Sequence, residues 1–142
     1  IIVSAISVIT AGLSNTAYKQ LILSSLAKDS QAAFYQSDTA TDCALYADQV
    51  DFENPVFIDG GTWSCGESSL NVTPLVAGGY KIEPQNQTSK NPCFRISVNK
   101  SVVAVDDGSG NTETKTEISA KGYNICDKNN TRTVEREIQI NY

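Results

Sequence analysis

The sequence predicts an α+β fold in which one long N-terminal α-helix packs on a C-terminal antiparallel β-sheet. Three observations predict it. The first charged side chain is Lys19, so IIVSAISVITAGLSNTAY is an uncharged, largely apolar opening that runs into KQLILSSLAKDSQAAFYQSDTATDCALYADQ without a proline or an obvious turn. Past Asn54-Pro55 the pattern changes to short β-rich runs separated by Gly, Pro and Asn. The C-terminal stretch alternates apolar and polar residues, the period of a half-buried strand. Residues 1–49 are accordingly read as a hydrophobic and amphipathic helix, and residues 50–142 as a globular β head.

The helix comes first in the chain. From Ser14 to about Gln49 the residues are mostly helix formers, with Leu13, Ala17, Leu21, Ile22 and Leu26 following the 3.6-residue period imperfectly. Farther on, Ala33, Ala40, Ala44 and Ala47, with Cys43 and Phe34, make a narrow small-residue face suited to lie flat on a sheet. Asp38, Thr41, Asp42 and Asp48 are expected to point away. The weakest stretch is Thr10 to Thr16, where Gly12, Ser14, Asn15 and Thr16 each cost about a few tenths of a kcal/mol or more relative to alanine.

Short strands follow. VFIDG (56–60), GTWSCG (61–66) around the sole tryptophan, SLNVTPL (69–75) and GYKIEP (79–84) are β-rich runs, and QNQTSKNP (85–92) is a loop by composition. CFRISVNKSVVAV (93–105) and TETKTEISAKGYN (112–124) flank the turn signal DDGSGN (106–111). RTVEREIQINY (132–142) places Val134, Arg136, Ile138 and Ile140 on one phase and Glu135, Glu137 and Gln139 on the other. These last three strands form an antiparallel meander.

Cysteines stand at 43, 65, 93 and 126, with no CxxC pair to hold zinc or run thiol exchange. Their even number and wide spacing predict structural disulfides and an oxidising compartment. Four cysteines allow three connectivities. A hairpin folded symmetrically about DDGSGN sets Cys93 near Asn124 and within a register step or two of Cys126, which favours Cys93–Cys126 and leaves Cys43 to meet Cys65.

Composition excludes several functions. The chain has 142 residues and a formal charge of -5, and its basic residues are scattered, which argues against a duplex-DNA binder working through a basic surface. It contains no histidine, the usual general base and commonest metal ligand, and no GxSxG, so no nucleophile and base pair is visible. We expect no enzyme activity, no catalytic residues, no cofactor and no metal. DDGSGNTE (106–113) lacks the carboxylate spacing of a helical calcium loop and reads as a plain turn. The sequons at Asn71, Asn86, Asn99 and Asn129 reflect an Asn-, Ser- and Thr-rich surface. Methionine is absent, so Ile1 is expected to follow processing or truncation.

The opening segment is short for a membrane span and diluted by Ser4, Ser7, Thr10, Gly12, Ser14, Asn15 and Thr16. It fits a segment that sits in a bilayer before assembly and in a helical bundle afterwards, where small and hydroxylated residues let helices approach closely.

SSLAKDSQAAFYQSDTATDCALYADQ (24–49) and ISAKGYNICDKNNTRTVEREIQINY (118–142) resemble type IV pilin-like proteins, particularly the helix and terminal hairpin of a minor pilin group. The two stretches cover about a third of the chain. The resemblance implies a type IV pilin-like fold and a structural subunit that polymerises with identical copies into an extracellular helical homopolymer. It further implies an inner-membrane location before assembly and the pilus assembly machinery as a partner, with adhesion, twitching motility, DNA uptake or host contact as outcomes. Ile2, Ile6, Ile9, Gly12, Leu13, Ala17, Leu21 and Ile22 would then pack the filament core. Lys19 would make an intersubunit polar contact, or else snorkel to water. The chain departs from the pilin pattern at Ala5, where such proteins keep a glutamate a few residues in; its first glutamate is Glu53, and the helix has no kinking proline. Two other classes share these features: a minor, tip or secretion-system pilin, and a membrane-anchored binding module that never polymerises.

Overall fold

The computed structural model describes residues 2–50, 61–65, 68–75, 79–85, 92–104, 112–127 and 129–142, and not the side chains of residues 2–13, 50, 68 and 104. The expected strand at 56–60, most of the loop at 85–92 and the turn at 106–111 lie outside the described residues.

Helix α1, Ile2–Val50, is 49 residues long, about 74 Å at 1.5 Å per residue. It runs unbroken through Gly12–Thr16, so the weak propensities there do not interrupt it. Six strands follow: β1 Thr62–Cys65, β2 Ser68–Pro74, β3 Gly79–Pro84, β4 Cys93–Ala104, β5 Thr112–Tyr123 and β6 Glu135–Asn141. They form one sheet in chain order, every neighbour antiparallel. The α+β architecture of one long helix on one antiparallel sheet is therefore present, and the expected three-stranded meander extends to all six strands.

The β4–β5 register differs from the expectation by one position. Cys93 pairs with Tyr123, not Asn124, and Ala104 pairs with Thr112. The apolar alternation explains the shift. In the observed register Ile96 faces Ala120 and Val98 faces Ile118, all four completely buried. Centring the hairpin on DDGSGN would have set Ile96 against Lys121. A one-residue slip exchanges the faces of a strand, so burial of one face fixes pairing more strongly than turn symmetry does.

The inner face of the sheet is Leu70, Val72, Ile82, Ile96, Val98, Ile118 and Ala120, and α1 covers it with Ala40, Cys43, Ala44 and Ala47. The helix crosses β4, β5 and β6. Small side chains allow close approach, and Gly122 on β5 shows how close: a Cβ there would come within 3.0 Å of the Ala33 carbonyl oxygen, the Ser37 amide nitrogen and the Gln36 carbonyl carbon. Three expectations about the helix faces are corrected. Phe34 is 49% exposed because it lies off the sheet-facing stripe. Thr41 is buried, its hydroxyl donating to the Ser37 carbonyl at 2.8 Å, an internal bond that lets a hydroxyl face the sheet. Asp48 turns toward the sheet, where it forms an ion pair with Lys100 of β4 and accepts a 2.5 Å hydrogen bond from the Tyr142 hydroxyl.

Two disulfides join Cys43 to Cys65 and Cys93 to Cys126, with Cα separations of 6.0 and 5.6 Å, the pairing that the hairpin reading favoured. The first ties α1 to edge strand β1. The outer face of the sheet is polar. Glu83 lies between Lys81, at 2.9 Å, and Arg95, while Lys121 lies between Glu135, at 3.0 Å, and Glu137, at 3.5 Å. Partial burial pushes the Glu83 carboxyl up, but hydrogen bonds from Lys81 and Arg95 outweigh it and hold the group below its ordinary value. Half-exposed pairs of this kind contribute roughly 0–1 kcal/mol each, so Glu135 and Glu137 form the solvated strand face expected of them.

Candidate functional site

The face of α1 that lies on the sheet continues beyond the head. Tyr18, Ile22, Leu26, Asp29, Ala33, Ser37, Ala40, Ala44 and Ala47 recur at steps of three and four, which places them on one stripe of a 3.6-residue helix. Its two halves differ in size and in burial. Under the sheet, Ala33, Ser37, Ala40, Ala44 and Ala47 are small and buried. Toward the N-terminus the residues are large and bare: Tyr18 is 65% exposed, Ile22 49% and Leu26 55%. Leu21 and Leu23 flank them and are also exposed. From Ser14 to Leu26 this overhang measures about 20 Å.

The top of the overhang meets the loop between β5 and β6. Asn124 builds that loop: its amide donates to the Arg132 carbonyl at 3.1 Å, and its side-chain oxygen accepts from the Val134 amide at 2.6 Å. Asp127 accepts from the Asn129 amide at 2.9 Å and Asn130 from the Arg132 amide at 3.0 Å, which sets the return of the chain. Arg132 thereby reaches back to α1, donating to Ser25 Oγ at 3.0 Å and to Asp29 Oδ2 at 3.3 Å. Arg136 donates to Ser30 Oγ at 2.7 and 3.0 Å. Under this clamp lies a groove of ≈ 500 Å³, whose apolar wall is Leu21, Ile22, Leu26 and Val134 and whose polar end is Asp29 and Arg132.

The expected site residues divide into two groups. Ala17, Lys19, Leu21 and Ile22 are on the exposed overhang, and Leu21 and Ile22 line the groove together. Ile2, Ile6, Ile9, Gly12 and Leu13 belong to the same helix, but their side chains lie outside the described residues. Tyr18 and Leu26, which complete the stripe, carry a readable signal, since each is four residues from Ile22. The clamp carries none: Arg132 and Asp29 are 103 positions apart, and nothing local marks either as the other's partner. Among the described residues, no helix is long and apolar enough to cross a membrane.

An apolar helix face beside a fixed polar end can bind another apolar surface in a defined orientation; it supplies no reactive group. No family model matches the chain, and no curated protein or solved structure does.

Proposed function

We propose that the chain is a structural subunit of the type IV pilin kind, which polymerises through its N-terminal helix into an extracellular filament. The observation that carries this reading is the single helical stripe, buried by the sheet from Ala33 to Ala47 and bare from Tyr18 to Leu26. A stripe whose side chains grow larger where the head stops is built for a second surface. The resemblance at 24–49 and 118–142 supplies that surface as the helices of identical subunits. In this reading residues 1 to about 30 hold the subunit at the inner membrane before assembly, where the assembly machinery engages it, and pack in the filament core afterwards.

Energetics favour many neighbours over one. Tyr18, Leu21, Ile22, Leu23 and Leu26 are about half exposed or more, and full burial of such side chains stabilises by roughly 1.5–3 kcal/mol each. The part still to be gained is on the order of 5 kcal/mol, near the bottom of the roughly 4–15 kcal/mol cost of immobilising a partner. A single pair through this overhang is therefore marginal, whereas a lattice in which each helix meets several others multiplies the contact. Ser, Thr and Gly between the large residues permit close helix approach.

Gly12→Leu and Leu26→Asp test the reading in cells that express the chain, with filaments counted by electron microscopy. Both variants lose filaments if the helix packs in a core. Normal filaments in both would overturn the reading, and a parent chain that stays membrane-bound and forms no filaments would favour an anchored module instead.

A further inference from the structure

On the flank of α1 away from the groove, Thr39, Asp42, Cys43 and Tyr46 face Trp63, Ser64 and Cys65 of β1 across a crevice of ≈ 440 Å³. We infer that this crevice binds an organic cation, an ammonium or guanidinium group carried either by a small amine or by a basic protein side chain. The inference stands apart from the assembly role.

The walls are set by covalent structure. The four helical residues fall at i, i+3, i+4 and i+7, one flank of the helix, and the Cys43–Cys65 disulfide holds that flank against β1 at a Cα separation of 6.0 Å. The disulfide therefore sets the spacing of the two walls, and the crevice has a size usual for small-molecule sites.

Its chemistry selects for positive charge. Trp63 is half-buried and packs against the core, which fixes its indole, while Tyr46 is 61% exposed. Both side chains line the crevice, and aromatic rings attract cations electrostatically. Asp42 adds a carboxylate at the same place, and among the described residues it enters no ion pair. The helix brings no positive charge to compete: past Lys28, every charged residue of α1 is acidic. Two aromatic rings and a carboxylate without an internal cation form an incomplete set, which an ammonium or guanidinium completes.

Trp63 is the sole tryptophan, so its fluorescence in the intact, oxidised chain reports on the crevice directly. Choline and N-acetyl-lysine amide would be titrated at constant ionic strength beside 3,3-dimethylbutanol, the neutral counterpart of choline, and glucose. The expected result is a saturable change with one or both cations and none with the neutral compounds. Asp42→Asn and Tyr46→Ala, both at exposed positions, should each weaken the response by about threefold to tenfold. Stronger binding of choline assigns the site to a small quaternary amine, and stronger binding of the lysine amide to a protein side chain. Equal response to 3,3-dimethylbutanol, saturation by glucose, no saturable response to either cation, or unchanged affinity in both variants would overturn the inference.

Discussion

Replacing Gly122 with alanine tests the packing of helix on sheet, because it adds one methyl group where the two backbones meet. A strand residue normally gains by this change, since glycine in a strand interior is disfavoured by roughly 0.5–1 kcal/mol relative to alanine. At Gly122 the new Cβ would lie within 3.0 Å of three helix backbone atoms, from Ala33, Gln36 and Ser37. None is the end of a flexible side chain, so α1 must lift from β5. Overpacking of this kind costs roughly 1–3 kcal/mol and occasionally more. Lifting also loosens the contacts of Ala33 and Ser37, both completely buried. Net of the propensity gain, we expect Gly122→Ala to destabilise the oxidised chain by about 1–2 kcal/mol in urea unfolding, a drop of roughly 2–8 °C in Tm for a domain of this size. Stability equal to or above that of the parent chain would refute the close approach, since that is the outcome of strand propensity alone.

The Cys43–Cys65 disulfide closes a separation of 22 residues, for which chain entropy predicts about 3.4 kcal/mol; Cys43→Ala/Cys65→Ala should lose about that much in urea unfolding, and loss of less than about 1 kcal/mol would exclude a role in holding α1 to β1. Desolvation, and then the hydrogen bond to Asp48, pushes the Tyr142 hydroxyl from its ordinary 10.0 up to about 12. The protonated phenol is therefore favoured by folding, so its contribution is complete below pH 10 and falls away as pH rises toward 12. Denaturation at stepped alkaline pH should show this loss in the parent chain and a smaller one in Tyr142→Phe; identical profiles would count against the Asp48 contact.

How far the sequence discloses this molecule depends on how local each cause is. Strand β3 was legible as GYKIEP because Gly and Pro bracket it and its apolar residues alternate, and the helix was legible because nothing in residues 2–50 breaks it. The β4–β5 register was legible only to within one residue: the turn composition points to a centre at DDGSGN, but the pairing obeys the burial of Ile96, Val98, Ile118 and Ala120. Gly122 reads locally as a weak point in a strand, and only the tertiary approach of Ala33 and Ser37 makes it necessary. The overhang was visible as exposed apolar helix, whereas the Arg132 clamp and the crevice beside Trp63 depend on side chains from distant segments. Asp48 is illegible for the same reason: its partners are Lys100 on β4 and Tyr142, 94 positions away.

We propose that the bare half of the α1 stripe is covered by other copies of the chain. Hydroxyl-radical footprinting read by mass spectrometry measures this residue by residue, comparing the monomeric subunit in detergent-free buffer, as residues 14–142, with full-length material sheared from the cell surface. Tyr18, Ile22 and Leu26 should be oxidised readily in the subunit and protected several-fold in the sheared material, while Val102, 70% exposed on β4, serves as a reference site on the head. Equal oxidation of Tyr18, Ile22 and Leu26 in the two states, or absence of the chain from the sheared material, would contradict the claim.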